Sequence, residues 1–108
     1  MKPPSRGEVC LVDLGLAAKV RPALVVSIPA EDADRALVTL VPHTTATRGS
    51  RFEVQLRVTF LRPGAFDVQG IVTVPHAKLV RALGAIPSPQ MSEIEVRLLL
   101  WRGISKSA

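Results

Sequence analysis

The chain has one cysteine, no tyrosine, one tryptophan and three phenylalanines in 108 residues. A lone Cys10 cannot close an internal disulfide, and neither histidine sits at zinc-ligand spacing from a cysteine or its fellow. These absences exclude a secreted disulfide scaffold and a structural metal knot. With aromatics at 4%, the core must come from Val, Leu, Ile and Ala, with Phe52, Phe60, Phe66 and Trp101 as the bulky exceptions. No apolar run approaches the roughly 18 residues of a membrane span, and residues 1–5 are too short and polar for a signal peptide. The expectation is a soluble protein of the reducing cytoplasm that makes no use of a membrane. Its length suits one domain over residues 1–108.

What is present is positive charge and short β-type runs. Lys and Arg number 14 against 9 acidic residues, a net charge of +5, which favours a polyanion or an acidic protein segment as partner without choosing between them. Residues 8–14, Glu-Val-Cys-Leu-Val-Asp-Leu, place apolar side chains on both faces and predict a largely buried strand. After a connector over 15–20, Arg21-Pro22 opens a second run at 23–28, and the two strands are expected to form a hairpin. Residues 36–42 suit a buried strand, followed at 43–50 by an irregular loop rich in Thr.

Phe52, Val54, Leu56 and Val58 alternate with Glu53, Gln55 and Arg57, which predicts a half-exposed strand. Arg62-Pro63-Gly64 reads as a turn, 65–69 as a link and 70–74 as a further buried strand closed by Pro75; periodicity leaves 76–83 open. Ser88 caps a terminal helix with Pro89 in its first turn and Gly103 as its stop. Met91, Ile94, Leu98 and Trp101 share one face of that helix, and Glu93 and Arg97 form an i,i+4 pair on another. The expected fold is mainly β: a small SH3-like antiparallel barrel with short helical links and a C-terminal helix.

Two strand-end segments carry side chains suited to chemistry. Lys19-Val20-Arg21-Pro22 enters the second strand and Pro42-His43-Thr44-Thr45 leaves the third, so pairing of these strands brings them to one rim. A guanidinium forks onto a phosphate and stabilises its developing charge, and a Thr hydroxyl adds a donor. His43 and His76 are the candidates for proton transfer near neutrality. By position alone, Arg21 reads first as a surface ion-pair former, Thr44 as a turn former and each histidine as a structural residue. Cys10, mid-strand among aliphatics, reads as core. Arg48 and Arg51 bracket a Gly-Ser pair that suits either a phosphate clamp or a solvated loop. No P-loop, dinucleotide glycine pattern, paired-carboxylate set or metal triad is present.

Arg6-Gly7-Glu8-Val9, Val12-Asp13-Leu14 and Val20-Arg21-Pro22-Ala23-Leu24-Val25-Val26 together resemble the N-terminal half of the MazF/PemK toxin endoribonucleases, of the CcdB/PemK-like barrel superfamily. Val38-Thr39-Leu40-Val41-Pro42-His43-Thr44 is similar to that family's strand ending in Pro-x-Thr, and residues 72–79, the terminal helix and the total length also fit. The resemblance implies a cytoplasmic, cofactor-free homodimer that cuts single-stranded mRNA at short motifs, the substrate's own 2′-hydroxyl attacking the adjacent phosphate. It also implies a cognate acidic antitoxin whose flexible tail fills the basic groove.

Carried over residue by residue, the family's catalytic arginine falls on Arg21 and its catalytic Ser or Thr on Thr44. Lys19, His43, Thr45, Arg48, Arg51, His76 and Lys78 are then the candidate RNA-binding residues. Two departures stand out: a short connector over 15–20, and His76-Ala77-Lys78 where many relatives carry Gln before an apolar and a basic residue. The alternatives are a non-catalytic RNA- or antitoxin-binding module on the same fold and, more weakly, a gyrase-inhibiting toxin.

Overall fold

The computed structural model describes residues 3–15 and 20–104. Seven strands and one helix follow in the order β1 (Glu8–Asp13), β2 (Val20–Val25), β3 (Leu37–Thr44), β4 (Glu53–Val54), β5 (Ala65–Asp67), β6 (Val72–Pro75), β7 (Leu79–Ala85) and α1 (Ser88–Trp101). Short 3-10 turns, Val68–Gly70 and His76–Lys78, flank β6. The architecture is mainly β, an antiparallel curved sheet with one C-terminal helix, as expected from the sequence.

The central strands run β3-β2-β1-β7. β1 and β2 form the expected hairpin, from Val9 opposite Leu24 to Asp13 opposite Val20. β2 starts earlier than its apolar run suggests: Arg21 and Pro22 lie inside the strand, with Pro22 opposite Leu11. β3 likewise continues two residues past Pro42, so His43 and Thr44 belong to the strand and not to the loop that follows.

Along its other edge β3 changes partner. Leu37 to Leu40 pair with β6, whereas His43 and Thr44 pair with Phe66 and Ala65 of β5. Pro42 stands beside the switch, and a proline tolerates a break in the ladder because it has no N–H to donate. Gly70 closes on its ring: a Cβ there would come 2.8 Å from Pro42 Cγ.

Alternation along the central strands fills two separate cores. Val9, Leu24 and Val41 join Phe52, Val54, Phe66, Val68 and Ile86 beneath Met91, Ile94 and Leu98 of α1. Cys10, Val12, Ala23, Val25, Val38 and Leu40 pack on the opposite face. Both faces of β1 are therefore covered, which explains its nearly continuous apolar sequence. Cys10 is a core residue, its thiol pKa pushed up by burial and then by the charge of Glu8.

Three expected elements differ in extent. The alternating run 52–58 is paired only at Glu53–Val54, although Leu56 and Val58 still turn inward against the α1-side core. Alternation reports which face is buried; it does not require a ladder partner. Residues 65–69, read as a link, contain β5, too short for periodicity to register. The run at 70–74 is β6, shifted to 72–75, and it is half-exposed because it lies off the central path of the sheet and pairs only with β3.

The helix was legible nearly to the residue. Pro87 takes the cap position, so Ser88 is the first helical residue and supplies no capping bond, while Pro89 remains in the first turn. Gly103 adopts a left-handed φ of 72° just past the end. Trp101 stays 43% exposed yet meets Phe52 edge-on, centroids 5.2 Å apart. Arg97 does not pair with Glu93; its guanidinium donates to the Arg51 carbonyl. The ion pair on this helix is Glu95 with Arg6, at 3.1 Å.

Candidate active site

The β2–β3 register sets the rim. Ala23 lies opposite Pro42, and continuing that register by two residues sets Arg21 across from Thr44. Both side chains line two adjoining cavities. The smaller, of about 200 Å³, is completed by Pro42, Ala46, Arg48, Ser50, Glu53, Asp67 and Gln69. The larger, of about 560 Å³, contains Val20, Pro22, His43, Thr45 and Arg62 beside them. Arg21 is exposed and Thr44 half-buried, so both are open to a ligand crossing the ridge between the cavities. The Thr44 hydroxyl oxygen accepts from the Ala46 N–H at 3.0 Å, which orients it and leaves its proton free to donate.

The loop after β3 is held by one carboxylate. Glu53 Oε1 accepts from the N–H groups of Arg48 at 3.1 Å, Gly49 at 2.8 Å and Ser50 at 3.2 Å. Gly49 adopts a φ of 77°, and such a turn lets successive N–H groups converge on an anion. The loop backbone that carries Arg48 is thereby fixed at the wall of the smaller cavity. Arg51 is directed elsewhere, its guanidinium 4.6 Å from the centre of the Phe52 ring.

His43 is the one buried polar residue among those described, at 5% exposure. Its ring meets Phe66 edge-on with centroids 5.0 Å apart, and burial lowers its pKa below the ordinary 6.5. Gly64 leaves it room: an added Cβ there would come 2.9 Å from His43 Cε1 and collide with the Thr44 carbonyl oxygen.

Of the residues singled out from the sequence, Arg21, His43, Thr44, Thr45 and Arg48 come together at this rim. His76 and Lys78 do not. They follow β6, beside the start of β3, where His76 Nε2 lies 3.2 Å from the Leu37 carbonyl oxygen. Lys19 lies outside the described residues, as does most of the short connector. Sequence reasoning missed Arg62, Glu53, Asp67 and Gln69 as lining residues. Arg62 was read as a turn former and Glu53 as the polar side of an alternating strand; no local pattern signals that either faces Arg21. Among the described residues no group of three or more His, Cys, Asp or Glu is placed to hold a metal ion, and no helix is long and apolar enough to cross a membrane.

An arginine and an oriented hydroxyl lining the same open cavities have the donors that hydrogen-bonding to a phosphodiester or another oxyanion requires. The chain belongs to the PemK-like, MazF-like toxin family of type II toxin–antitoxin systems, whose family model matches residues 5–101. It is similar to an endoribonuclease from a mycobacterial species solved with its cognate antitoxin, with a TM-score of 0.80 and 27% identity over 99% of this chain and 100% of that one. A MazE–MazF complex from Deinococcus radiodurans shares the fold at a TM-score of 0.79 and 23% identity, over 95% and 98% of the two chains. The Mycobacterium tuberculosis toxin MazF-mt6 does so at 0.78 and 23%, over 91% and 98%. Comparison with curated proteins finds no sequence match.

Proposed function

We propose that this chain is an endoribonuclease toxin that cuts single-stranded mRNA in the cytoplasm at short sequence motifs, without a metal ion. The observation that carries the reading is that Arg21 and Thr44 both line each of two adjoining cavities at one rim of the sheet. One cavity receives the nucleotide on each side of the phosphate at the ridge.

In this mechanism the substrate's 2′-hydroxyl oxygen attacks the neighbouring phosphorus. The P–O5′ bond breaks, leaving a 2′,3′-cyclic phosphate and a free 5′-hydroxyl. Arg21 holds the non-bridging oxygens and opposes the charge that grows on them, and the Thr44 hydroxyl donates to the same group. Arg21 also assists proton transfer by donating to the phosphate oxygens as charge grows on them. Thr45, Arg48 and His43 line the groove beside it. His76 and Lys78 would reach only RNA that runs on toward the far end of β3.

The excess of basic residues and the arginines Arg21, Arg48 and Arg62 around the cavities support an acidic antitoxin segment as the natural inhibitor. The active form is a homodimer in this reading. Arg21→Ala and Thr44→Ala, each shown folded by circular dichroism, are expected to slow cleavage of a test RNA strongly, Arg21→Ala by at least about 10²- to 10³-fold. Cleavage at the parent rate by either folded variant overturns the assignment.

A further inference from the structure

β5 carries one charged side chain that the mechanism above does not use. Its middle residue, Phe66, stands opposite Val54 of β4 and His43 of β3 and packs with Val54 in the α1-side core. Residues directly opposite in a ladder share a face, and successive residues alternate between faces. Asp67, its partner Glu53, and Thr44 with its partner Ala65 therefore lie on the other face. Asp67, Glu53 and Thr44 all line the smaller cavity there, beside Arg21.

A carboxylate repels a phosphate, so two of them at a phosphate site need another purpose. Glu53 has one: it is held by the three N–H groups of residues 48–50. Asp67 is only half engaged. Its Oδ1 accepts from the Gln69 N–H at 3.1 Å and so caps the 3-10 turn Val68–Gly70. Its Oδ2 has no hydrogen-bond or ion-pair partner among the described residues, none of which holds a sealed side-chain oxygen without a partner. That oxygen is accessible, and Gly70 leaves space beside it, since an added Cβ would stand 3.5 Å away. The exposed Gln69 side chain lines the same cavity, its amide also unpartnered among the described residues.

An unpartnered carboxylate oxygen and an unpartnered amide match the hydrogen-bonding edge of a nucleobase. The cavity they line, of about 200 Å³, has room for one planar ring, since about 150 Å³ accepts benzene. We propose that this cavity is a base-reading subsite in which Asp67 selects a nucleobase with an exocyclic amino group, next to the cut phosphate. This rests on the endoribonuclease reading. The amino group donates to Asp67 Oδ2, and the Gln69 amide bonds the adjacent ring position. Adenine, cytosine and guanine carry such a group. Uracil does not, and its single N3–H lies between two carbonyl oxygens that the carboxylate repels. Asp67 thus determines specificity by touching the base, not the reacting atoms.

The cap bond makes Asp67→Asn a directed test. The Gln69 N–H still requires an acceptor, so the side-chain oxygen takes the place of Oδ1 and the NH₂ that of Oδ2. The acceptor in the cavity becomes a donor, which suits the O4 carbonyl of uracil. Both proteins are incubated with one long RNA in the presence of chelator, and the cut sites are mapped. In the unmutated protein, uracil is expected to be excluded from one of the two positions flanking the cut.

In Asp67→Asn, uracil is expected to enter that position. The ratio of cleavage rates on matched amino-bearing and uracil oligonucleotides should fall at least about 10-fold. A residue that only capped the turn would change both rates alike, and an unchanged ratio overturns the proposal. So does a map from the unmutated protein that admits uracil on both sides of the cut. Should the variant fail to fold, base analogues on the unmutated protein decide instead. Inosine for guanosine, nebularine for adenosine or zebularine for cytidine at that position is expected to slow cleavage about 10- to 100-fold. Cleavage of the analogue at the parent rate overturns the proposal. RNA left intact by the unmutated protein overturns the endoribonuclease reading itself, a different outcome from cleavage that ignores the base.

Discussion

The two histidines of this chain lie at opposite ends of β3 and have acquired opposite surroundings. His43 is in the strand, pairs with Phe66 of β5 and is buried beside Thr44. His76 follows β6, is half-buried and meets the Leu37 carbonyl. Leu37 and Thr44 are separated by roughly 23 Å of extended chain at about 3.3 Å per residue. The difference comes from the partner change along the edge of β3. At one end the short strand β5 and its preceding turn fold over the rim and enclose a cavity. At the other, β6 lies half-exposed off the central path of the sheet, with solvent beyond it. A residue type says little about chemistry until the sheet has decided which end it occupies.

The largest expected effect of breaking this asymmetry is at the ridge. Arg21→Ala should lower the cleavage rate by at least about 10²- to 10³-fold, the usual cost of removing a preorganised donor to an oxyanion. Thr44→Ala removes one hydrogen bond to a charged group, worth about 1.5–3 kcal/mol, and should cost about 10- to 100-fold or more. Single-turnover kinetics on a labelled oligonucleotide measure both.

Gly64→Ala tests the enclosure without touching a reacting group. Its Cβ would collide with the Thr44 carbonyl and crowd His43, an overpacking expected to cost about 1–3 kcal/mol. Thermal denaturation should show a midpoint lower by about 4–8 °C per kcal/mol, and the cleavage rate should fall with it because Thr44 must shift.

Stability should also respond to acid through His43. The folded-state pKa of His43 is lowered below its unfolded value of 6.5, so the unfolded chain binds the extra proton. That contribution is absent above pH 6.5 and destabilises the fold as pH falls below it toward the folded pKa. Urea unfolding at neutral and mildly acidic pH should show a loss that His43→Asn lacks. The smallest effect belongs to His76→Ala. Removing its bond to Leu37 should cost about 0.5–1.5 kcal/mol at most, with turnover unaffected and any change confined to affinity for longer RNA.

Much of this fold is written in local pattern. Alternation identified β1, the inward face of 52–58 and the apolar stripe of α1, and Gly103 marked the helix end. The pairs that build the site are not local. β5 is three residues long and carries no period, yet its register against His43 and Thr44 creates the enclosure. Glu53 looked like an exposed strand residue because nothing in its neighbourhood announces that it binds the backbone of residues 48–50. Arg21 and Thr44 were visible as residues of the right chemistry, but their spacing alone suited a surface arginine and a turn threonine. Resemblance to the toxin family raised them to candidates, and the β2–β3 register supplies the physical reason they meet.

The central claim is that the ridge between these cavities cuts RNA with the substrate's own hydroxyl. Purified protein incubated with a long single-stranded RNA in the presence of chelator, followed by mapping of the ends, tests it most directly. Discrete cuts leaving 2′,3′-cyclic phosphates and 5′-hydroxyls, lost in folded Arg21→Ala, are the predicted result. RNA that is bound in a salt-dependent manner but remains intact would contradict it and leave a binding module in its place.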